Sequence, residues 1–124
     1  MLVSIPIAQA TTGARVFYAP VPYAVNLVSI KLVSGQALAA HASNHLTITI
    51  AAANGSTVLA SRTTNSSGGS TLAAGTVESL TIGNFDASGL APDEAYKIST
   101  ALGGTLANAV DLNLVFELEA ARSV

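Results

Sequence analysis

The sequence predicts an all-β, single-domain antiparallel β-sandwich of about eight strands with a jelly-roll-like arrangement. Apolar and polar residues alternate with a period of two along most of the chain, which is typical of strands with one buried face. The alternating runs are short and separated by Gly, Asn, Ser and Pro turn signals. The 124 residues suffice for one domain with one core. One segment, 35–43, has weak helical character, and we expect a helical turn or a loop there.

The first four runs are strand candidates for different reasons. Residues 2–7 (LVSIPI) alternate, and residues 15–19 (RVFYA) are aromatic and β-branched. Residues 25–33 (VNLVSIKLV) have the length of a central strand. In residues 46–51 (LTITIA), large aliphatic side chains alternate with threonines.

The remaining runs complete the set of eight. Residues 57–62 (TVLASR) follow the Asn54-Gly55 turn and predict a hairpin with the preceding strand, with Leu46, Ile48 and Ile50 in the core and Thr47, Thr49 and Arg62 facing solvent. Residues 77–82 (VESLTI) and 95–100 (AYKIST) are shorter. Residues 110–118 (VDLNLVFEL) form the clearest strand, whose apolar positions share one face while Glu117, with Glu119 just beyond, lies on the other.

The chain divides into two parts by its pattern. Residues 1–24 predict an N-terminal arm or the first strands, and residues 25–124 predict the β-sandwich domain. Within it, Asn65–Gly75 (NSSGGSTLAAG) is rich in small residues, and we expect an exposed loop at one end of the sandwich.

The charge content excludes several classes of partner. Only 10% of the residues are charged, well below the roughly 25% of ordinary globular proteins. The five cations are scattered singly, so the clustered basic surface of a nucleic-acid or membrane binder is absent from the sequence. We therefore predict no nucleic-acid and no membrane partner. So little charge predicts that much of the surface is buried against other chains.

The chain contains no cysteine, which excludes disulfides, thiolate zinc sites and cysteine nucleophiles. Its first residues lack the basic start and long apolar stretch of a secretory signal, and no run reaches the ~18 apolar residues of a membrane span. The expected place of synthesis is the cytoplasm.

The candidates for chemistry have simpler explanations. His41 and His45 are four residues apart but lack a third ligand, so two polar loop residues are favoured over a metal site. Asp86, Asp93 and Glu94 match no calcium loop, and turn formation accounts for them. No nucleophile stands beside a base and an orienting acid in a known motif. The sequence therefore predicts no enzyme, no metal site and no cofactor.

A cluster of aromatic residues and prolines is the one candidate binding site. Phe17, Tyr18 and Tyr23 surround Pro20 and Pro22. Such residues can form a sugar-binding platform or an arm that docks onto a neighbouring subunit, and core packing is the default for Phe17. We predict these five residues as a subunit interface.

Six stretches between Val28 and Glu119 carry a resemblance that covers about three quarters of the chain: SIKLVSGQALAA, HLTITI, TVLASRTTNSSGG, ESLTIG, LAPDEAYKIS and LNLVFELE. The sequence resembles the capsid decoration (cement) proteins of tailed bacteriophages. The resemblance implies a structural virion protein, made in the host cytoplasm, that binds the outer capsid surface and stabilises the head by bridging major capsid protein subunits. It further implies a homo-oligomer, in this family commonly a homotrimer. N-terminal segments of such proteins often reach the capsid, so the resemblance implies a contact with the capsid or another subunit for residues 1–24.

An alternative of another class is a head-fibre or host-adhesion module that binds carbohydrate through its β-sandwich. The sequence has no Trp, and aromatic residues make up 5% of it, whereas sugar platforms usually need exposed rings. An enzyme is the least favoured class, because no catalytic pairing is present.

Overall fold

The computed structural model describes residues 2–7, 15–20, 24–84, 89–91, 94–104 and 111–120, with only the backbone given for 15–20. Within these ranges the protein is all-β, as predicted, and contains no helix, hence none that could span a membrane. Residues 35–43 form a loop. The strands are β1 (Leu2–Ile7), β2 (Arg15–Pro20), β3 (Val25–Ser34), β4 (His45–Ala51), β5 (Val58–Thr63), β6 (Glu78–Ser79), β7 (Ala95–Gly103) and β8 (Leu112–Ala120).

The strands form two antiparallel sheets of four strands each among the described residues. The first sheet has the order β1-β8-β3-β6, and the second has the order β2-β7-β4-β5. The pairs β1–β8, β2–β7, β3–β6 and β4–β5 are nested along the chain, so the first and the last of the described strands pair in the first sheet. The pairs β3–β8 and β4–β7 join neighbouring hairpins laterally.

The apolar faces of the two sheets form one shared core. Leu114 and Phe116 of β8 and Ile48 and Ile98 of the second sheet are at most 1% exposed. The rings of Tyr96, on β7, and Phe116 stack across the two sheets, with centroids 5.4 Å apart and planes 3° from parallel. This contact marks the centre of a β-sandwich, and the predicted two-sheet architecture is confirmed.

Two β-bulges change the alternation of side chains. In β3 the register shifts between Leu27 and Ser29, so Val28 is the extra residue and its side chain is exposed. In β5 the register passes from Ala60 to Val58, and the extra residue Leu59 is buried together with Ala60. A bulge resets the period of two, because two residues of one strand oppose one residue of the partner.

The bulge in β5 overturns the predicted outward orientation of Arg62. If side chains alternated strictly from the buried Leu59, Arg62 would lie on the solvent face of β5. Because of the bulge, Arg62 instead lies opposite Ile48, on the inner face of the sheet. Its side chain is only 13% exposed. The other residues of this hairpin follow the prediction: Leu46, Ile48 and Ile50 are buried, while Thr47 and Thr49 are half-buried on the outer face.

The segment 65–75 is anchored more firmly than an exposed loop would be. Ser66, Ser67 and Gly68 are exposed as predicted, but Leu72 is 1% exposed and belongs to the core. The backbone groups of Leu72 and Leu38 exchange two hydrogen bonds of 2.8 and 2.9 Å. The sequence did not indicate that Leu72 is buried, because a single leucine among small residues gives no periodic pattern.

The predicted strand 77–82 is shorter in the structure, since this segment passes from one sheet to the other. The N–H of Leu80 donates to the carbonyl of Ile30 on β3, and the N–H of Gly83 donates to the carbonyl of Leu59 on β5. The Asn84 side chain donates to the carbonyl of Val58. The crossing segment therefore covers part of the β5 edge, which would otherwise offer free hydrogen-bonding groups to other chains.

Candidate functional site

The strongest polar cluster of the described residues lies where β5 and β6, edge strands of different sheets, meet. The Arg62 guanidinium holds the Glu78 carboxylate in a two-pronged contact, with Nε–Oε2 at 2.8 Å and Nη2–Oε1 at 3.1 Å. Arg62 also donates to the backbone carbonyls of Thr63, Ser70 and Thr71 at 2.7 to 3.0 Å. We call this arrangement of Arg62 and Glu78 the edge latch.

The charges of the edge latch neutralise each other. The hydrogen bond from Arg62, reinforced by its positive charge, lowers the pKa of the Glu78 carboxyl, against a smaller opposing effect of burial. An open groove of about 550 Å³ runs beside the latch, between β5 and residues 78–83. The Arg62 guanidinium donates five hydrogen bonds within the chain, and no histidine or second carboxylate is among the described residues that line the groove. The latch therefore has the properties of a structural contact between the sheets.

The two histidines are placed by local contacts that do not suit a shared metal ion. Nδ1 of His41 accepts hydrogen bonds from the backbone N–H groups of Ser43 and Asn44, at 3.0 and 2.8 Å. Nε2 of His45 lies 3.3 Å from Nδ2 of Asn65, and its Nδ1 is buried without a partner. No group of three or more metal-ligating His, Asp or Glu side chains exists among the residues the structure describes.

The candidate carboxylates also lie apart. Glu117 and Glu119 are exposed on the outer face of β8, as the alternation predicts, and Glu117 accepts a hydrogen bond of 3.2 Å from the Ser29 hydroxyl. Glu94 accepts a hydrogen bond of 2.7 Å from the backbone N–H of Ala91, which is a turn contact. Asp86 and Asp93 lie outside the described residues.

The predicted interface residues fall on or just after β2. The backbones of Phe17, Tyr18 and Pro20 pair with Ile98, Lys97 and Ala95 of β7, and β2 is an edge strand of the second sheet. Pro22 and Tyr23 lie outside the described residues. The structure thus places three of the five candidates at one sheet edge, and their role as an interface stays a prediction.

A group of apolar side chains that the sequence analysis did not single out lies on the outer face of the first sheet. We call Leu2, Val33, Val77 and Val115 the outer patch. Leu2 and Val77 are 70% and 60% exposed, more than any other large hydrophobic side chain of the described residues. Together with Ser29, Lys31 and Glu117, the patch lines a shallow depression of about 330 Å³.

The patch left one signal in the sequence. Val115 stands at a solvent-facing position of β8, between Asn113 and Glu117, where alternation predicts a polar residue. Single exposed apolar residues are common, so this valine alone indicates little. Only the pairing of β1, β8 and β3 shows that it has aliphatic neighbours on the same face.

The outer face of the second sheet has a different character. Thr47, Thr49, Thr63 and Ser99 lie there half-buried, and Ser61 is exposed. The hydroxyls of Thr47 and Thr63 are 2.9 Å apart and hydrogen bonded. This hydroxyl-rich surface leaves the outer patch as the main apolar exterior of the described protein.

The chain was compared with protein-family models and with curated protein sequences, and neither comparison found a match.

Proposed function

We propose that this protein is a structural component of a tailed-bacteriophage virion, which binds the outer capsid surface and stabilises the head by bridging major capsid protein subunits. The observation that carries the proposal is the outer patch, whose Leu2 and Val77 side chains are largely exposed on a sheet face. Contiguous exposed apolar surface is typical of interaction sites in soluble proteins. A second support is the low charge content of the whole chain.

The finer fold that we propose is a jelly roll. A jelly roll is a long hairpin of eight strands, rolled so that its nested pairs divide between two sheets. The four nested pairs and the orders β1-β8-β3-β6 and β2-β7-β4-β5 support this arrangement. Jelly rolls occur in capsid and lectin domains alike, so the fold by itself does not select the function.

The proposed mechanism is mechanical and needs no reactive group. The protein sits at the junctions between capsid subunits, and each contact resists their separation under the pressure of packaged DNA. Many copies add weak contacts into a strong effect through multivalency. The proposed partners are the major capsid protein and other copies of this chain, with a homotrimer as the expected assembly and the virion surface as the location. A ring of three closes on itself and exposes no repeating contact.

The carbohydrate-binding alternative has less support from the described residues. Two aromatic rings, Tyr96 and Phe116, have described side chains, and both are fully buried in the core. A stacking platform for sugar needs exposed rings. The two described rings therefore supply no such platform.

The test is the copy number of this chain in purified virions, relative to the major capsid protein, by quantitative mass spectrometry. A ratio near one to one, or a simple fraction of it, is expected for a protein that covers the shell. A few copies per particle would instead indicate a fibre or vertex protein, and absence from the particle would overturn the proposal. Particles that lack the protein should also lose their DNA at lower temperature, and equal heat resistance would remove the stabilising role.

A further inference from the structure

We infer that two copies of this chain pair through the outer patch, face to face, about a two-fold axis. The inference concerns the free protein: in solution a second copy covers the outer patch, and the capsid contact and the ring of three proposed above replace this pair on the virion. It rests on that proposal only for its biological role. It starts from the exposure of Leu2 and Val77 and from the two charged side chains that flank the patch, Lys31 and Glu117.

The strand register gives the layout of this face. Leu2 lies opposite Glu117, and Val33 lies opposite Asn113, so the path from Leu2 to Val33 crosses two strand spacings and four residues along β8. Lys31 lies opposite Val115, so the path from Glu117 to Lys31 crosses one strand spacing and two residues. We call the lines from Leu2 to Val33 and from Glu117 to Lys31 the two diagonals of this face. They run in the same direction across the sheet.

This shared direction makes the face self-complementary. A two-fold axis in the plane of the face, perpendicular to the diagonals, exchanges the two ends of each of them. Leu2 of one copy then lies over Val33 of the other, and Lys31 of one copy lies over Glu117 of the other. In such an isologous interface every contact occurs twice, which doubles the effect of each pair.

Lys31 and Glu117 are both able to form an ion pair with a second chain. Among the described residues, Arg62 and Glu78 form an ion pair, and Lys31 forms no ion pair. Glu117 accepts one hydrogen bond, from Ser29, which leaves lone pairs for a cation. One positive and one negative side chain beside an aliphatic centre favour a second copy, because a partner of a single charge sign would attract one of them and repel the other.

Charge reversal tests the pairing on the purified full-length chain. Lys31→Glu and Glu117→Lys each replace two attractive contacts per dimer by two repulsive ones. Each should weaken the dimer roughly tenfold to a hundredfold, as measured by sedimentation equilibrium at low salt. The double variant K31E/E117K restores opposite charges and should recover most of the affinity of the wild type.

Two valines supply a matched pair of variants. Val77→Asp places a charge inside the patch and should abolish the dimer, whereas Val58→Asp, at an exposed valine on β5, should leave it intact. Circular dichroism checks that both variants remain folded.

Three results would overturn the inference. They are a wild-type chain that stays monomeric at about 100 μM, a trimer that neither charge reversal dissociates, and a double variant as weak as the single ones. None of these results bears on the copy number in virions, so a failure here is distinguishable from a failure of capsid binding.

Discussion

Removal of the Arg62 side chain should destabilise the protein by about 2–3 kcal/mol, because the edge latch joins edge strands of both sheets. Arg62→Ala deletes five hydrogen bonds, two to the Glu78 carboxylate and three to backbone carbonyls. Breaking a fully buried ion pair costs ~3–5 kcal/mol, and the side chains here are 13% and 26% exposed, so solvent replaces part of the loss. Arg62→Lys keeps the charge but loses the two-pronged geometry and should cost about 1–2 kcal/mol.

Urea unfolding followed by circular dichroism measures this change, since the free energy of unfolding is the product of midpoint and slope. A double-mutant cycle of Arg62→Ala with Glu78→Ala should give a coupling energy of about 1 kcal/mol. Glu119→Gln, a change at an exposed carboxylate of β8, is the matched control and should stay within ~0.5 kcal/mol of the wild type. If Arg62→Ala also stayed within that limit, the latch would not hold the sheets and the reasoning would be wrong.

Three further predictions concern pH and a glycine. Because the pKa of Glu78 is lowered by Arg62, the latch stabilises the fold above the ordinary carboxyl pKa of 4.5, and that stability is lost as the pH falls through the lowered pKa. Glu78→Gln should reduce the acid-induced loss, as read from urea midpoints between about pH 3 and pH 6, a range that brackets the ordinary carboxyl pKa. Burial raises the pKa of Tyr96 to about 12 from 10.0, so the unfolded state ionises first and stability falls between these two pH values. The loss should reach roughly 2–3 kcal/mol at the alkaline end, and Tyr96→Phe should remove it; an unchanged alkaline profile would refute the assignment. Gly69→Ala would push a Cβ into the backbone carbonyl oxygens of Thr63 and Asn65 and should cost about 2–4 kcal/mol, whereas Gly35→Ala meets only ordinary contacts. Equal thermal midpoints for the two variants would contradict the close packing of this loop.

The strands could be located from the sequence, because alternation is a local property. All eight predicted runs correspond to strands, and the Asn54-Gly55 turn lies between β4 and β5 as predicted. The orientation of Arg62 could not be predicted, since a bulge at Leu59 depends on how β5 fits its partner. The burial of Leu72 depends likewise on a neighbour distant in sequence, Leu38.

The candidate surfaces show the same limit. The predicted interface of aromatic residues and prolines came from residues close together in sequence, which is what inspection of a single chain can detect. The outer patch instead combines residues near both ends of the chain, Leu2 and Val115, with Val33 and Val77. Because strand pairing between distant segments leaves no local signal, this surface becomes visible only in the folded protein.

The position of β8 has a consequence for how the chain folds. This last strand lies between β1 and β3, and its Glu117 pairs with Leu2 at the other end of the sequence. The first sheet therefore cannot form completely before β8 has been synthesised, and until then the edge of β1 that pairs with β8 has no partner strand. Contacts across nearly the full chain length close slowly, since their entropy loss precedes any gain. We expect folding in milliseconds to seconds once β8 is available, with aggregation through the unpaired strand edges as the competing reaction.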